Sequence, residues 1–283
     1  MYTLKVENEN HNLLELSGNF SQFQIIKVGG LSPPAAVLNR CSVSGMDGSR
    51  FQSGLLGERN IVIECKILGD VEKNRLLLYQ FFATKHWCKL YYKNNSRDVY
   101  IEGYVETVEC DLFAQSETMQ ISILCPEPYL KSLEEFYDDI SKMLAQFEFP
   151  FAIDSKGIEF SSIDGARVSN IINKGERATG VIIDITINGA ASSPTIQNIE
   201  TGEKFGLNIE LELGDHIVID TNAGSKRVIL IRDGVEYNIF SRIIKNSVWF
   251  TLKIGENFFA YEAKKGAENM HIVFRHYYHY EGV

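Results

Sequence analysis

The chain has 283 residues, of which 45% are hydrophobic and 23% charged, and it carries a formal net charge of −9 at pH 7. This is ordinary globular composition at about two domains' length, which excludes a disordered or low-complexity chain. An acidic balance does not attract a phosphate backbone, so specific nucleic-acid binding is not expected.

The opening stretch, MYTLKVENENHNLLEL, lacks the basic region and apolar core of a secretory signal. The longest apolar cluster runs from Leu76 to Tyr79 and resumes after Gln80 with Phe81, Phe82 and Ala83. That is far short of the roughly 20 residues that cross a bilayer. The expectation is a soluble chain made in the cytosol, with no membrane contact.

Gln24 to Val28 reads as a short strand. From Gly29 to Gly54 the chain is rich in Gly, Ser and Pro and shows no long period, so it is either a set of tight turns or a projecting loop. A loop of this length in a compact domain needs a task, such as contacting a partner. Beyond it Ile61, Ile63, Cys65 and Ile67 alternate with Val62, Glu64 and Lys66, the period of a half-buried strand. Asp70 stands as the N-cap of a helix through VEKNRLLLYQFFATK, whose Leu77, Leu78, Phe81 and Phe82 share a face. HWCKLYYK, DVYIEGYVETVEC and SETMQISILC read as strands, with a turn at Asn94-Asn95-Ser96 and an end at Pro126 and Pro128.

Next, Leu133, Phe136, Ile140, Met143, Leu144 and Phe147 recur at helical spacing. Ser132 followed by Glu135 forms a capping box, and Pro150 lies just beyond the end. The domain division is therefore 1–130, an amphipathic helix and linker over 131–150, and a second domain over 151–283. That second domain reads as all-β, with strands at 158–160, 177–187, 194–199, 204–213, 216–220, 227–231, 235–240, 247–252, 258–262 and 270–278. Turn signals separate them, most clearly Asp233-Gly234 between two apolar runs. Short strands at regular intervals argue for a sandwich or jelly roll.

Chemistry is sparse. The nucleophile elbow, the phosphate loop, the dinucleotide fingerprint and the zinc-protease helix motif are all missing from the sequence. Cys41, Cys65, Cys88, Cys110 and Cys125 are odd in number and lack C-x-x-C spacing, so they read as buried or half-buried thiols. His271, His276 and His279 alternate faces along an extended strand and do not converge on a metal. Asp220, Asn222 and Gly224 echo the start of a calcium loop, but Ile231 occupies the place of its closing Glu, which leaves a turn built on Asx chemistry. Trp249 reads as a sandwich core residue rather than a sugar platform. Glu210 and Glu212 read as the polar face of a strand rather than as the paired carboxylates of a hydrolase. No cofactor, metal or catalytic residue is expected.

Three stretches resemble the bacteriophage distal tail protein family. They are GMDGSRFQSGLLGERNIVIECKILGD, VYIEGYVETVECDLFAQSETMQISILCPEPYL, and the pair LGDHIVIDTNAGSKRV and SVWFTLKIGENFFAY. The last pair holds Gly214-Asp215, Ile219-Asp220-Thr221, Trp249-Phe250-x-Leu252 and Gly255-x-Asn257, with Ile254 where the family's usual proline stands. The resemblance implies a mainly β chain: an N-terminal β-sandwich-like domain with a helix, then a galectin-like sandwich. It further implies a non-enzymatic hub in the tip of a virion tail. In that role a homohexameric ring joins the tail tube protein to tail-tip and receptor-binding proteins, and DNA passes through without specific binding. The assembly residues it suggests are Asp47, Gly48, Arg50, Phe51, Arg59 and Asn60, within a ring-forming domain 1–130. Six copies, each at −9, would carry a formal −54, and an acidic lumen would repel DNA from its wall. The alternative is a module that recognises host cell-wall sugars through its C-terminal sandwich.

Overall fold

The computed structural model describes residues 2–17, 22–42, 44–45, 47–114, 117–140 and 168–283. They form two compact units, Met1–Leu133 with His279–Val283, and Glu134–Tyr278. The architecture is mainly β. The expected strand at 158–160 and the helical positions 141–150 lie outside the described residues.

The first unit contains β1 (Thr3–Asn8), β2 (Leu13–Glu15), β3 (Phe23–Gly29), β4 (Ala36–Cys41), β5 (Arg50–Leu56), β6 (Arg59–Ile67), α1 (Val71–Phe81), β7 (Trp87–Lys93), β8 (Asp98–Cys110), β9 (Thr118–Cys125) and β10 (Leu130–Ser132). All but the β4–β5 pair join one antiparallel sheet in the order β2-β1-β7-β8-β9-β6-β3, with β10 beside the early part of β8. Period-two patterning drives it. Ile61, Ile63, Cys65 and Ile67 of β6 and Cys88, Leu90 and Tyr92 of β7 all point into a single core. α1 closes that core with Leu78 and Phe82. Asp70 caps it by accepting from the Lys73 amide, and the helix stops at Phe81, short of the expected Lys85. Its buried line is Asn74 and Leu78, with Phe82 just past its end, while Leu77 is exposed.

Three of the five cysteines, Cys65, Cys88 and Cys125, sit inside this core, while Cys41 and Cys110 are half-buried, and all five are free thiols. Burial pushes the Cys65 thiol up to about 11 and those of Cys88 and Cys125 to about 12. They remain protonated and act as small apolar groups.

Over its described part, residues 133–140, the expected helix is not formed. β10 occupies Leu130–Ser132 and β11 occupies Phe136–Asp139. Phe136, Ile140 and their neighbours satisfy a helical period, yet each segment finds a sheet edge that satisfies its backbone better. β10 pairs with β8, and β11 pairs with β21 (Met270–His276). Tertiary pairing overrides local periodicity here.

The second unit is a sandwich. One sheet runs β11-β21-β13-β17-β18-β19, with β13 at Ile182–Ile187, β17 at His216–Asp220, β18 at Arg227–Arg232 and β19 at Val235–Asn238. The other runs β12-β20-β14-β15, with β12 at Val168–Asn173, β14 at Ala191–Asn198, β15 at Lys204–Gly206, β20 at Gly255–Lys265, and β16 (Glu210–Leu211) against β14. Their inner faces share one core that includes Ile183, Ile185, Ile217, Ile219, Phe259, Ile272 and Phe274. The Asp233-Gly234 hairpin forms with both residues at positive φ, 52° and 74°, the requirement of a two-residue primed turn.

The run 247–252 is not a strand. Phe250 and Leu252 are both buried, but among the described residues the run makes, in place of a ladder, an isolated bridge from Leu252 to Thr179 and a backbone hydrogen bond from the Val248 amide to Lys204 O at 2.8 Å. The expected strand 204–213 is divided into β15 and β16, and β12 was not anticipated. A last short strand, β22 (His279–Tyr280), returns to pair with β10 in the first unit.

His276 lies in the second unit with a fully buried side chain. It packs against Phe136 and Tyr278 at 5.8 and 5.5 Å between ring centroids, and neither ring nitrogen makes a hydrogen bond. The nearest carboxylate is Asp138 Oδ2, 3.6 Å from Nδ1. Burial holds the imidazole neutral down to about pH 4, against 6.5 for a free group. The unfolded chain therefore binds the proton first, so stability is lost as pH falls through 6.5 towards 4. Between pH 7 and 5 this one residue should remove about 2 kcal/mol. In a Trp87→Phe background, Trp249 fluorescence reports the second unit during urea unfolding. His276→Phe should flatten its pH 7-to-5 loss by about that amount. An unchanged loss would show that the buried imidazole is not its source.

Candidate assembly surface

Among the described residues β4 and β5 pair only with each other, in a separate two-stranded sheet that lies between β3 and β6 in the sequence. The glycine-rich stretch is thus a hairpin rather than an irregular loop. Every residue of the pair is exposed except the half-buried Cys41 and Leu56. The exposed ones include Val37 at 61%, Leu38 at 57%, Phe51 at 68% and Leu55 at 71%. Val37 faces Leu55 across the ladder. Leu38 faces Gly54, and a side chain at Gly54 would meet both Leu38 and Phe51. Alternation therefore puts Val37 and Leu55 on one side of the arm and Leu38 and Phe51 on the other. Both faces carry apolar side chains, and neither is covered by the described residues. A lone two-stranded hairpin is marginal in water, and contiguous exposed apolar surface marks a contact site.

The sequence-nominated residues separate into two groups. Asp47, Gly48, Arg50 and Phe51 lie on this arm and are exposed. Asn60 is exposed on β6, where its side-chain oxygen accepts from Ser122 Oγ at 2.9 Å. Arg59 does not belong with them, because it is 2% exposed. Its Nε donates to the Pro128 carbonyl at 2.7 Å. Its Nη1 donates to Gly30 O at 2.6 Å and Ser32 O at 3.0 Å, and its Nη2 to Glu281 O at 2.5 Å. Burial lowers its pKa, and four carbonyl dipoles take the place of water around a charge that persists at neutral pH. Arg59 therefore ties the two roots of the arm together from beneath. Gly30, in the first root, has φ +82°, and a Cβ there would fall 2.0 Å from Asn60 O, so only glycine fits.

The other side chains weighed for chemistry lie apart. His271 Nε2 is 2.9 Å from Asp139, His276 is buried beside Phe136, and His279 stacks on Tyr129 at 5.5 Å in the first unit. Asp220 accepts from the backbone and side-chain amides of Asn222, as a turn does. Trp249 packs against Phe205 at 4.9 Å and stacks on Phe240 at 5.7 Å, at the rim of the sandwich core. Among the described residues, no group of three or more His, Cys, Asp or Glu is placed to hold a metal ion.

Residues 10–125 match the family model described as a phage tail protein RIFT-related domain, and residues 174–278 match that of a siphovirus-type tail component, C-terminal domain. The chain belongs to the siphovirus-type phage tail protein family. No curated protein matches the sequence. Among solved structures, the Dit protein (gp 19.1) of phage SPP1 superposes with a TM-score of 0.70 at 13% identity, over 97% of this chain and 99% of that one. It is described as a paradigm of the hub adsorption apparatus in phages infecting Gram-positive hosts. The activated baseplate of phage P2 gives 0.56 at 11% identity in its calcium form, over the whole of both chains. Its strontium form gives 0.53 at 10%, over 98% of each. These likenesses show a shared fold along the full length.

Arg59→Met should destabilise the first unit by about 3 kcal/mol, since four buried carbonyls lose their donors. Arg59→Lys should recover only part of the loss, because an ammonium cannot fork to carbonyls on three segments. Urea unfolding followed through Trp87 in a Trp249→Phe background checks both. A loss below about 1 kcal/mol in the Met variant would show that Arg59 does not hold the unit together.

Proposed function

We propose that this tail protein is a non-enzymatic hub subunit: six copies close into a ring at the virion's tail tip, joining the tail tube to tip and receptor-binding proteins. The observation that carries the reading is the β4–β5 arm, apolar on both faces and left exposed by the described residues. A ring needs heterologous contacts, one surface of each copy seated on a different surface of the next, with a rotation that closes. A projecting arm supplies one half of such a contact. Asp47, Gly48, Arg50 and Phe51 ride on it, and Asn60 lies beyond its second root. The likeness to a hub and to a baseplate protein over the whole chain supports the same role. The packing of Trp249 against Phe205 and Phe240 argues against the cell-wall sugar alternative.

Light scattering on the full chain, with negative-stain imaging, tests the assembly. Rings of six are expected. Phe51→Asp and Leu55→Asp should abolish them while changing subunit stability by less than about 1 kcal/mol, because both side chains are exposed. A monomer that persists at high concentration, or rings indifferent to both substitutions, would defeat the proposal.

A further inference from the structure

The chain re-enters the first unit at His279, and its last five residues are fixed there along their whole length. β22 pairs with β10 through Leu130↔Tyr280 and Lys131↔His279. His279 stacks on Tyr129, and the Arg97 guanidinium lies 4.3 Å above the Tyr280 ring. Glu281 gives its carbonyl to Arg59, and the Val283 amide donates to Leu31 O at 3.2 Å. Gly282 sits so close to the first root of the arm that a Cβ would come within 2.9 Å of Pro33 Cδ.

The contacts of Glu281, Gly282 and Val283 converge on one place. Gly30, Leu31, Ser32 and Pro33 form the strip by which the arm leaves the sheet, and Arg59 lies two residues past the other root, Gly57. The same guanidinium holds Gly30 O, Ser32 O and Glu281 O. The strip is thereby clasped between a buried cation and a five-residue strap from the far end of the sequence.

We propose that residues 279–283, acting through Arg59, are a latch that fixes the direction of the β4–β5 arm, and that the latch is needed for copies to assemble. This rests on the reading that the arm joins one copy to the next. In this proposal the strap is a positioning element. A two-stranded arm on an unclasped root samples many directions, and docking would then have to pay for that freedom. A clasped root presents its apolar faces already oriented.

The test uses the full chain with Gly282→Val, which drives a side chain into Pro33, and a second variant that ends at Tyr278. Amide exchange by mass spectrometry over residues 29–36 and 57–60 reads the latch directly, without any ring. Native mass spectrometry reads assembly, and thermal melts report whether both units remain folded. Expected results are roughly tenfold faster exchange at the roots in both variants, melts that retain both transitions, and loss of rings. Unchanged exchange at the roots overturns the latch whatever the assembly does. Faster exchange with normal rings overturns its role in assembly. If the unmodified chain forms no rings, the hub reading fails, and the latch stands or falls on exchange alone. Should the truncated form not fold, Gly282→Val decides by the same criteria.

Discussion

One buried guanidinium holds the first unit's periphery in place. Arg59 starts β6, and its fork reaches carbonyls at Gly30, Ser32, Pro128 and Glu281, on three segments far apart in sequence. All four of these hydrogen bonds go to backbone carbonyls, while the Glu281 carboxylate acts on the guanidinium through space and favours its charged form. A carboxylate partner would satisfy one or two of its donors and leave the rest in a dry site, whereas backbone carbonyls satisfy several at once and have no charge of their own to desolvate. The arrangement suits a residue whose task is to bring loops together. It joins the arm's entry, the turn after β9 and the returning tail.

The sequence carried the signal for this in a form that is easily misread. Arg59 has the parity of Ile61, Ile63, Cys65 and Ile67, all of which face inward. Extending the alternation back by one step places it inside, yet an arginine beside Glu58 and Asn60 reads as surface. Parity was the better guide than residue type. The same alternation made β6, β7, β17 and β18 legible, and the Asp-Gly pair marked the β18–β19 hairpin. These elements are governed by local chemistry: a half-buried face, or a turn that demands positive φ.

Where reading failed, the deciding partner was distant. Leu130–Ser132 and Phe136–Asp139 become strands because β8 and β21 offer them edges. Phe136 stacks on Tyr278 at 4.0 Å, a contact no window of neighbouring residues could disclose. The run 247–252 has strand composition but finds no ladder, and its Phe250 and Leu252 fill the core from an irregular backbone. The β4–β5 arm failed to register for a different reason. Its strands lack the inside-outside alternation of a sheet with one wet face, because the described residues leave both faces wet.

That last property bears on the proposed ring. Each copy carries −9, so bringing copies together raises like-charge repulsion, and Coulomb attraction averaged over the surface cannot drive a ring. In the proposed ring the driving force is instead local and apolar, supplied by the exposed Val37, Leu38, Phe51 and Leu55 of the β4–β5 arm. Screening then works in favour of assembly. Salt weakens the long-range repulsion between whole subunits within a Debye length of about 8–10 Å, while the burial of exposed apolar side chains is left intact. In the proposed ring, then, net charge opposes association at long range and apolar burial on the arm favours it at contact.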